Sequence, residues 1–440
     1  MAPESPPAGL VDNRVLRHAG NPYDLILAIS EDATRSSAAY DGLVAVEPYA
    51  VAADTWSRRV TRYPFIKSWQ GTSLELLASS IRGDADPCIA AALLDELPDH
   101  VGWSHHRRIA LDRTWTPRFF RTDESADGTI LEVQCPGSLW GVHEILREFY
   151  IEAAIDPVPN LAPLSVTFAD SLRSQVAGRP IIHHLLDNSS HPAGERFFIQ
   201  RARRYLPYFG YDSEVRPCDC NVIRAHDFIA LLAENFTVER LERWKRGELI
   251  YDLPPISLFD QKLLLALPFW NQTRAFYRDE VRGLFPYTAI LTPEGITLED
   301  GGLITIQKFS GLPRRDRTYF LKYAGADVSR NWGSRAVYHL GKLSRERCEA
   351  ELTKALRRFP AGERWILQRQ QPTDESVETI TRDGTIETIA CHSKHSVFHG
   401  RHGPMAVLVM FENFYKVHGS SETVATIGVP PAGVPQTGLG

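Results

Sequence analysis

Apolar residues recur three and four positions apart in two stretches of the chain. Between Leu139 and Ala154 this spacing predicts a helix with one buried face. From Ser344 to Phe359 the spacing returns, with arginines and lysines on the opposite side, so we expect a second amphipathic helix there. Both helices should pack one face against a sheet or another helix.

Two further stretches are rich in helix-forming residues. Residues 48 to 118 are predicted to be mostly helical, with breaks at Gly71-Thr72 and near Gly83. Residues 236 to 277 are predicted to be helical with an interruption at Pro254-Pro255.

Short apolar runs bounded by turn residues predict strands. Arg118–Asp123 and Thr129–Gln134 flank Asp127-Gly128, which is a hairpin signal. Residues 179–186, 195–205 and 220–224 read as strand, helix and strand, the order of a parallel α/β layer. From Pro286 onward strands dominate. We expect them at Tyr319–Tyr323, Ala336–Leu340, Arg364–Arg369, on both sides of Asp383-Gly384, and at Ala406–Glu412.

The order of these elements predicts an α/β protein of the α+β kind. The expected units are a largely helical N-terminal region (1–117), a hairpin followed by a helix (118–177), an α/β unit with a helical insertion (178–285), a strand-rich unit (286–428) and a disordered Pro/Gly-rich tail (429–440).

Composition and charge narrow the class of protein. The 440 residues are 43 % apolar and 23 % charged, as in ordinary globular proteins, and the net charge is −5. We therefore expect neither nucleic acid nor a membrane as partner. The chain start lacks the features of a secretion signal, which predicts a cytoplasmic protein. Six scattered cysteines indicate reduced thiols, and the close pair Cys218 and Cys220 has no second ligand pair that would favour zinc.

The first candidate for chemistry lies on the predicted hairpin. Arg121 and Asp123 lie two residues apart on one strand, and Glu132 and Gln134 lie two apart on the next. Pairing of the strands brings two carboxylates and an amide together, and Mg²⁺ prefers such oxygens, while the arginine suits a phosphate or carboxylate. The alternative is a solvated polar hairpin with a surface ion pair.

The second candidate begins at Lys322, which ends a predicted strand before a loop containing Gly325, Gly333 and Ser334. Glycines let backbone N–H groups approach phosphate oxygens, and the lysine adds a point charge. The loop matches neither the P-loop nor the dinucleotide-binding pattern. An ordinary connection between strands explains it as well.

The third candidate is a strand from Trp365 that turns polar at its end. It offers backbone groups for a purine edge and the side chains of Gln368, Gln370 and Gln371 for a ribose, although a buried strand with a polar exit is more common. Lys262 precedes three leucines and would ordinarily be a surface lysine.

Five motifs, in this order, resemble those of the circularly permuted ATP-grasp proteins, in particular the synthetase part of glutathionylspermidine synthetase. They are Arg121-x-Asp123 with Glu132-x-Gln134, Asp260-Gln-Lys262, Tyr319–Gly325, Trp365–Gln371 and Tyr415–Val424. The resemblance covers about residues 113 to 428. It implies a circularly permuted ATP-grasp fold with an α/β pre-ATP-grasp-like unit.

This resemblance also implies an activity, namely ATP-dependent ligation of a small-molecule carboxylate to an amine through an acyl phosphate, with release of ADP and phosphate. It implies Mg²⁺ bound by Asp123, Glu132 and Gln134. It places Lys262 and Lys322 on the phosphates of ATP and Arg121 at the substrate carboxylate or the acyl phosphate. Gly325 to Ser334 would then be a lid, and Gln368, Gln370 and Gln371 would lie beside adenine.

Two residues depart from the family pattern. Gln134 replaces an asparagine, and Thr423 lies where an arginine is expected, so Arg330, Arg335 or Lys416 is expected to stabilise the phosphate instead. These departures favour an alternative, a degenerate ATP-grasp protein that binds nucleotide or a partner without catalysis. A third interpretation is a phosphotransferase acting on a hydroxyl group.

The identities of the two substrates, and the oligomeric state, do not follow from the sequence. The loops Cys135–Trp140 and Asp187–Gly194 follow predicted strands and are candidates for the substrate cleft, or plain loops.

Overall fold

The computed structural model describes residues 42–84, 116–134, 139–153, 161–173, 182–186, 197–198, 201–202, 204–205, 208–211, 222–225, 238–251, 261–325, 330, 335–417 and 422–431. The strands in these ranges are β1 (Leu43–Ala45), β2 (Tyr49–Ala50), β3 (Phe120–Glu124), β4 (Ile130–Gln134), β5 (Ile182–Leu186), β6 (Tyr208–Tyr211), β7 (Val222–Ala225), β8 (Ile250–Tyr251), β9 (Thr288–Ile290), β10 (Ile296–Thr297), β11 (Leu303–Ile304), β12 (Tyr319–Tyr323), β13 (Val337–His339), β14 (Trp365–Arg369), β15 (Asp374–Ile380), β16 (Ile386–Gly400), β17 (Gly403–Glu412) and β18 (Val424–Val429). The α-helices are α1 (Ala53–Arg82), α2 (Trp140–Glu152), α3 (Leu164–Arg173), α4 (Val238–Lys245), α5 (Asp279–Arg282), α6 (Ile306–Gly311) and α7 (Arg345–Arg357).

One large sheet combines strands from both ends of the chain. Its order is β15-β1-β18-β17-β16-β3-β4, and β2 lies beside β18. β16 has 15 residues, long enough to pair with β15 through its first half and with β3 through its second. β15 pairs with both β1 and β16. The strands β15, β1, β18, β17 and β16 therefore form a closed ring of pairings.

Alternation along the strands buries both faces of this sheet. Phe398, Leu408 and Ile427 pack with α2 and α3 on one face, whereas Val397 and Val407 pack with α1 on the other. The strands near the candidate site are therefore fixed from both sides.

A smaller antiparallel sheet has the order β13-β12-β14-β9. α7 covers one of its faces, where Cys348 and Leu352 contact the same core as Leu321 and Leu367. The helix begins at a serine cap, because the hydroxyl of Ser344 accepts a hydrogen bond from the backbone N–H of Arg347 at 3.2 Å. The predicted amphipathic helix over this stretch is confirmed.

A third sheet is parallel, with the order β6-β5-β7-β8. This confirms the parallel layer predicted from residue 179 onward. The predicted hairpin is confirmed as β3 and β4, the helix after it as α2, and the expected strands after Pro286 as β12 to β17.

Two predictions about helices were wrong. The chain does not break at Gly71-Thr72, since α1 continues to Arg82 and ends in the left-handed turn at Gly83. The buried Trp69, Leu74 and Leu77 lie on both sides of Gly71, and their packing outweighs the weak helix propensity of glycine.

The segment after residue 260 is not α-helical either. Lys262–Leu265 is a 3₁₀ turn, and another follows at Arg274–Phe276. Leu263, Leu264 and Leu265 are all buried, so the segment has no polar face, and Pro268 prevents continuation of a regular helix.

Residues 432–440 of the predicted tail lie outside the described residues, as do Cys218 and Cys220. No helix in the described ranges is both long and apolar enough to span a membrane.

Candidate active site

The β3–β4 hairpin brings the four predicted polar residues onto one face. Arg121 pairs with Gln134 and Asp123 with Glu132 across the two antiparallel strands. The tight turn is made by Gly128, whose φ of 86° is one that glycine adopts readily. Directly opposed residues project to the same side of a hairpin, so two carboxylates, an amide and a guanidinium meet there.

Hydrogen bonds join these four side chains. Nε of Arg121 donates to Oδ1 of Asp123 at 2.9 Å, and the same guanidinium donates to the Gln134 side-chain carbonyl. The Gln134 amide donates to Oε1 of Glu132 at 3.3 Å. Arg121 and Asp123 are both buried, which excludes the alternative of a solvated surface hairpin.

β16 adds two residues that the sequence did not single out as site residues. Ser396 pairs with Asp123 across β16 and β3, and its hydroxyl donates to Oδ1 of Asp123 at 2.8 Å. Nζ of Lys394 lies 3.1 Å from Oδ2 of the same carboxylate. Nothing in the sequence links the strand after Asp383-Gly384, which carries Lys394 and Ser396, to β3.

Two lysines complete the arrangement from other elements. Lys262, at the start of its 3₁₀ turn, lies with Nζ 3.0 Å from Oε1 of Glu132. Lys322, on β12, donates to the side-chain carbonyl of Gln368 at 2.6 Å. The Gln368 amide in turn donates to the backbone carbonyl of Leu131 at 3.1 Å, which ties the antiparallel sheet to the hairpin. Neither lysine is an exposed surface residue.

We call these six charged residues the cationic cluster: Arg121, Lys262, Lys322, Lys394, Asp123 and Glu132. The cluster holds four basic groups and two carboxylates. Burial raises the pKa of Asp123, but the charges of Arg121 and Lys394 outweigh it and hold that pKa below its ordinary value. The pKa of Glu132 is also lowered, since Lys262 and Lys322 outweigh its burial.

Burial is the main influence on the pKa of Lys322, and the surrounding charges add to it or oppose it. Burial lowers its pKa to about 8, and the neighbouring Lys262 and Lys394 act in the same direction. Glu132 and Asp123 oppose the shift without cancelling it. The positive charges of the cluster therefore favour the binding of an anion.

Arg330, one of the two predicted lid arginines, has its described contacts at the antiparallel sheet. Arg330 donates to Glu363 at 2.7 Å and lies 4.0 Å above the ring of Tyr323, on the antiparallel sheet. Arg335 is exposed, at the turn before β13. Gly325 is buried directly after β12, whereas Gly333 and Ser334 lie outside the described residues. Asp260 and the two candidate substrate loops, apart from Leu139 and Trp140, lie outside them too.

A cleft of about 610 Å³ opens where β14 ends. Thr129, Tyr287, Gln370 and Gln371 line it, together with Asp374. Gln370 is fixed by the ring of His339, whose Nε2 lies 2.9 Å from its side-chain oxygen. This volume lies within the range of small-molecule sites.

The position where an arginine was expected holds a buried threonine. The Thr423 hydroxyl donates to Glu412 at the end of β17. Lys416 lies 5.9 Å from the ring centre of Tyr338. Among the described residues, no group of three histidine, cysteine or acidic side chains forms a ready metal site.

Comparison with known proteins bears on the fold. No protein-family model and no curated protein sequence matches the chain. Among solved structures the chain is similar to a glutathione synthetase-like effector from Globodera pallida in its apo form, with 12 % identity and a TM-score of 0.50, over 93 % of this chain and 96 % of that one.

The chain thus has a mixed α+β fold of the ATP-grasp-like, glutathione synthetase-like kind. At 12 % identity the similarity shows the fold alone. It confirms the resemblance at the level of the wider ATP-grasp fold and does not single out glutathionylspermidine synthetase.

Proposed function

We propose that the protein is an ATP-dependent ligase that joins a small-molecule carboxylate to an amine through an acyl phosphate. The observation that carries this proposal is the gathering of four basic groups, Arg121, Lys262, Lys322 and Lys394, around the carboxylates of the hairpin. Several cations held together suit a polyphosphate, because its oxygens can accept a charge-assisted hydrogen bond from each of them.

We propose that the cleft and the cluster bind the two parts of one nucleotide, since Thr129 of the β3–β4 hairpin lines the cleft and Glu132 of the same hairpin belongs to the cluster. The cleft at the end of β14 would hold the nucleoside, with Gln370 and Gln371 on its wall. Lys322 and Lys262 would hold the phosphates, because both ammonium groups face the hairpin where the two sheets meet. This arrangement supports the roles that the sequence resemblance implies for these residues.

Magnesium fits one edge of the hairpin. The Glu132 side chain is 22 % exposed, and Gln134 is partly exposed beside it. Mg²⁺ is commonly held by one or two carboxylates together with substrate phosphates and water, and these two residues would hold it in that way. When bound, the ion would neutralise charge on the phosphates.

The proposed reaction has two steps. A substrate carboxylate oxygen attacks the γ-phosphorus of ATP, the bond to the β–γ bridging oxygen breaks, and ADP leaves. The amine nitrogen then attacks the acyl carbon, the carbon–oxygen bond to phosphate breaks, phosphate leaves with the electron pair, and the nitrogen loses a proton. Arg121 would face the acyl phosphate, where its charge stabilises the transferring group.

Hydroxylamine trapping tests this proposal. The protein is incubated with ATP, Mg²⁺, hydroxylamine and pools of small carboxylic acids, and hydroxamate and ADP are measured. We expect equal amounts of both products, and at least a roughly hundredfold loss of rate in Lys322→Ala and Glu132→Ala, in line with the loss of groups that align phosphates. Lys354→Ala, at an exposed position of α7, is the matched control and should retain the rate.

A second candidate function is nucleotide binding without catalysis. Two observations favour it: the side-chain carbonyl of Gln134 already accepts a hydrogen bond from Arg121, and Thr423 takes the place of an expected arginine. Nucleotide binding without ADP release from any pool would support this candidate. A stable phosphorylated product without hydroxamate would support a phosphotransferase.

A further inference from the structure

We propose that Lys394 is a phosphate-binding residue and that Asp123 anchors its ammonium group, so that this carboxylate is not a metal ligand. The inference rests on the proposed nucleotide site and specifies which residue there binds phosphate and which carboxylate does not bind Mg²⁺. It departs from the expectation that Asp123, Glu132 and Gln134 hold magnesium together.

The oxygens of Asp123 are already occupied by protein donors. Oδ1 accepts from Nε of Arg121 at 2.9 Å and from the Ser396 hydroxyl at 2.8 Å. Oδ2 lies 3.1 Å from Nζ of Lys394 and 3.4 Å from Nη2 of Arg121. The Asp123 side chain is 3 % exposed. Of its three partners, Arg121 lies on β3 itself, and Ser396 and Lys394 lie on the paired strand β16.

A magnesium ion does not fit this carboxylate well. The ion requires ligand oxygens at about 2.0–2.1 Å in near-octahedral geometry and gives up its water reluctantly. To reach Asp123 it would have to displace a lysine, an arginine or a serine from a buried site. It would also add two positive charges beside Arg121 and Lys394. The oxygens of Glu132 and Gln134 also have protein partners, Lys262 and Arg121 respectively, but both side chains are more exposed than Asp123, so water and phosphate can complete the coordination of the ion there.

Lys394 is suited to bind an anion. Its side chain is 17 % exposed, whereas that of Asp123 is 3 % exposed, so Lys394 is the more accessible member of the ion pair. Its position is fixed because β16 pairs with β3 on one side and β17 on the other. Its charge also acts on Lys322, so both lysines belong to one electrostatic environment. A fixed ammonium at this place supplies the charge that a metal on Asp123 would otherwise supply.

Calorimetric titration with a non-hydrolysable ATP analogue tests the inference at Mg²⁺ concentrations from zero, with chelator, to several millimolar. The variants are Lys394→Met, Lys394→Arg, Asp123→Asn and Glu132→Gln. We expect Lys394→Met to weaken binding at least tenfold at every Mg²⁺ concentration and Lys394→Arg to restore most of it. We expect Glu132→Gln to raise the Mg²⁺ concentration needed for half-maximal affinity about tenfold, and Asp123→Asn to leave it within about twofold.

Three results would overturn the inference. The first is an Asp123→Asn variant that needs as much additional Mg²⁺ as Glu132→Gln. The second is a Lys394→Met variant that binds as tightly as the natural protein. The third is a natural protein that binds no nucleotide at any Mg²⁺ concentration, which would also remove the proposed function, whereas the first two would leave that function intact. If Asp123→Asn fails to fold, the double variant Asp123→Asn/Lys394→Met removes both charges and its Mg²⁺ dependence answers the same question.

Discussion

The two faces of β3 and β16 bury charge in different ways. On the face of the cationic cluster, Arg121 and Lys394 share the single carboxylate of Asp123. On the opposite face, Arg59 of α1 pairs with Glu124, with Nε 2.8 Å from Oε2 and side-chain exposures of 1 % and 2 %.

Histidines complete the network on this opposite face without adding charge. Nη2 of Arg59 lies 3.0 Å from Nδ1 of His395, and the Thr122 hydroxyl lies 2.9 Å from Nε2 of His399. Burial lowers the pKa of each histidine to about 3, with the charge of Arg59 acting in the same direction, so both rings are neutral near pH 7.

The contrast separates a structural network from the proposed binding site. On the α1 face Arg59 pairs with the buried Glu124 carboxylate, and the neutral rings of His395 and His399 pack beside this pair. Among the described residues, the cluster face gathers four basic groups around two carboxylates, and we propose that an anionic ligand binds there. Each prediction below changes one face and leaves the other as its reference.

The largest effect is expected from Arg59→Met, which leaves the Glu124 carboxylate buried without its partner. Breaking a buried ion pair in this way costs about 3–5 kcal/mol of unfolding free energy. Urea unfolding at pH 7 measures it. The double variant Arg59→Met/Glu124→Gln should recover most of the lost unfolding free energy. Lys322→Met should lower the unfolding free energy far less, because it removes one of the four positive charges of the cationic cluster. A loss below about 1 kcal/mol for Arg59→Met would show that the α1 face is not a balanced network.

The next largest effect is a loss of stability at acid pH. Because the folded-state pKa values of His395 and His399 lie near 3, the unfolded chain takes up protons below pH 6.5 that the folded chain does not. Stability is therefore lost as the pH falls from 6.5 towards 3, by up to about 1.4 kcal/mol per pH unit for each ring. Urea unfolding at several pH values should show a smaller slope in His399→Gln. An unchanged slope would show that groups other than His399 cause the loss of stability.

The smallest effect is a proton taken up on nucleotide binding. Lys322 has a pKa of about 8, so it is roughly half protonated at that pH, and a bound phosphate raises the pKa. Binding at pH 8 should take up about half a proton, and affinity should fall as the pH rises above 8. Calorimetry in buffers of different ionisation enthalpy measures this uptake. Lys322→Met should abolish it, and an equal uptake in that variant would assign the proton to another group.

Local pattern was enough to predict much of the fold. The hairpin followed from alternation around Asp127-Gly128, and α2 and α7 followed from helical spacing. The prediction of a helix near residue 262 was wrong because all three leucines there are buried. Their burial depends on tertiary packing, which the local pattern does not show.

The candidate site was predictable only where its residues are close in sequence. Arg121, Asp123, Glu132 and Gln134 come from one hairpin, and their convergence follows from strand geometry. Lys394 was missed because it reaches Asp123 through the pairing of β16 with β3, strands separated by most of the chain. Arg330 pairs with Glu363, which lies just before β14, a contact that the sequence did not indicate.

The most direct test of the central claim is equilibrium unfolding with and without Mg²⁺ and a non-hydrolysable ATP analogue. At about 100 times its dissociation constant the ligand should add roughly 2.7 kcal/mol to the stability of the natural protein. Lys322→Ala should lose this gain and Lys354→Ala should keep it. A natural protein that remains folded and shows no gain would contradict the claim that the cationic cluster is a polyphosphate site.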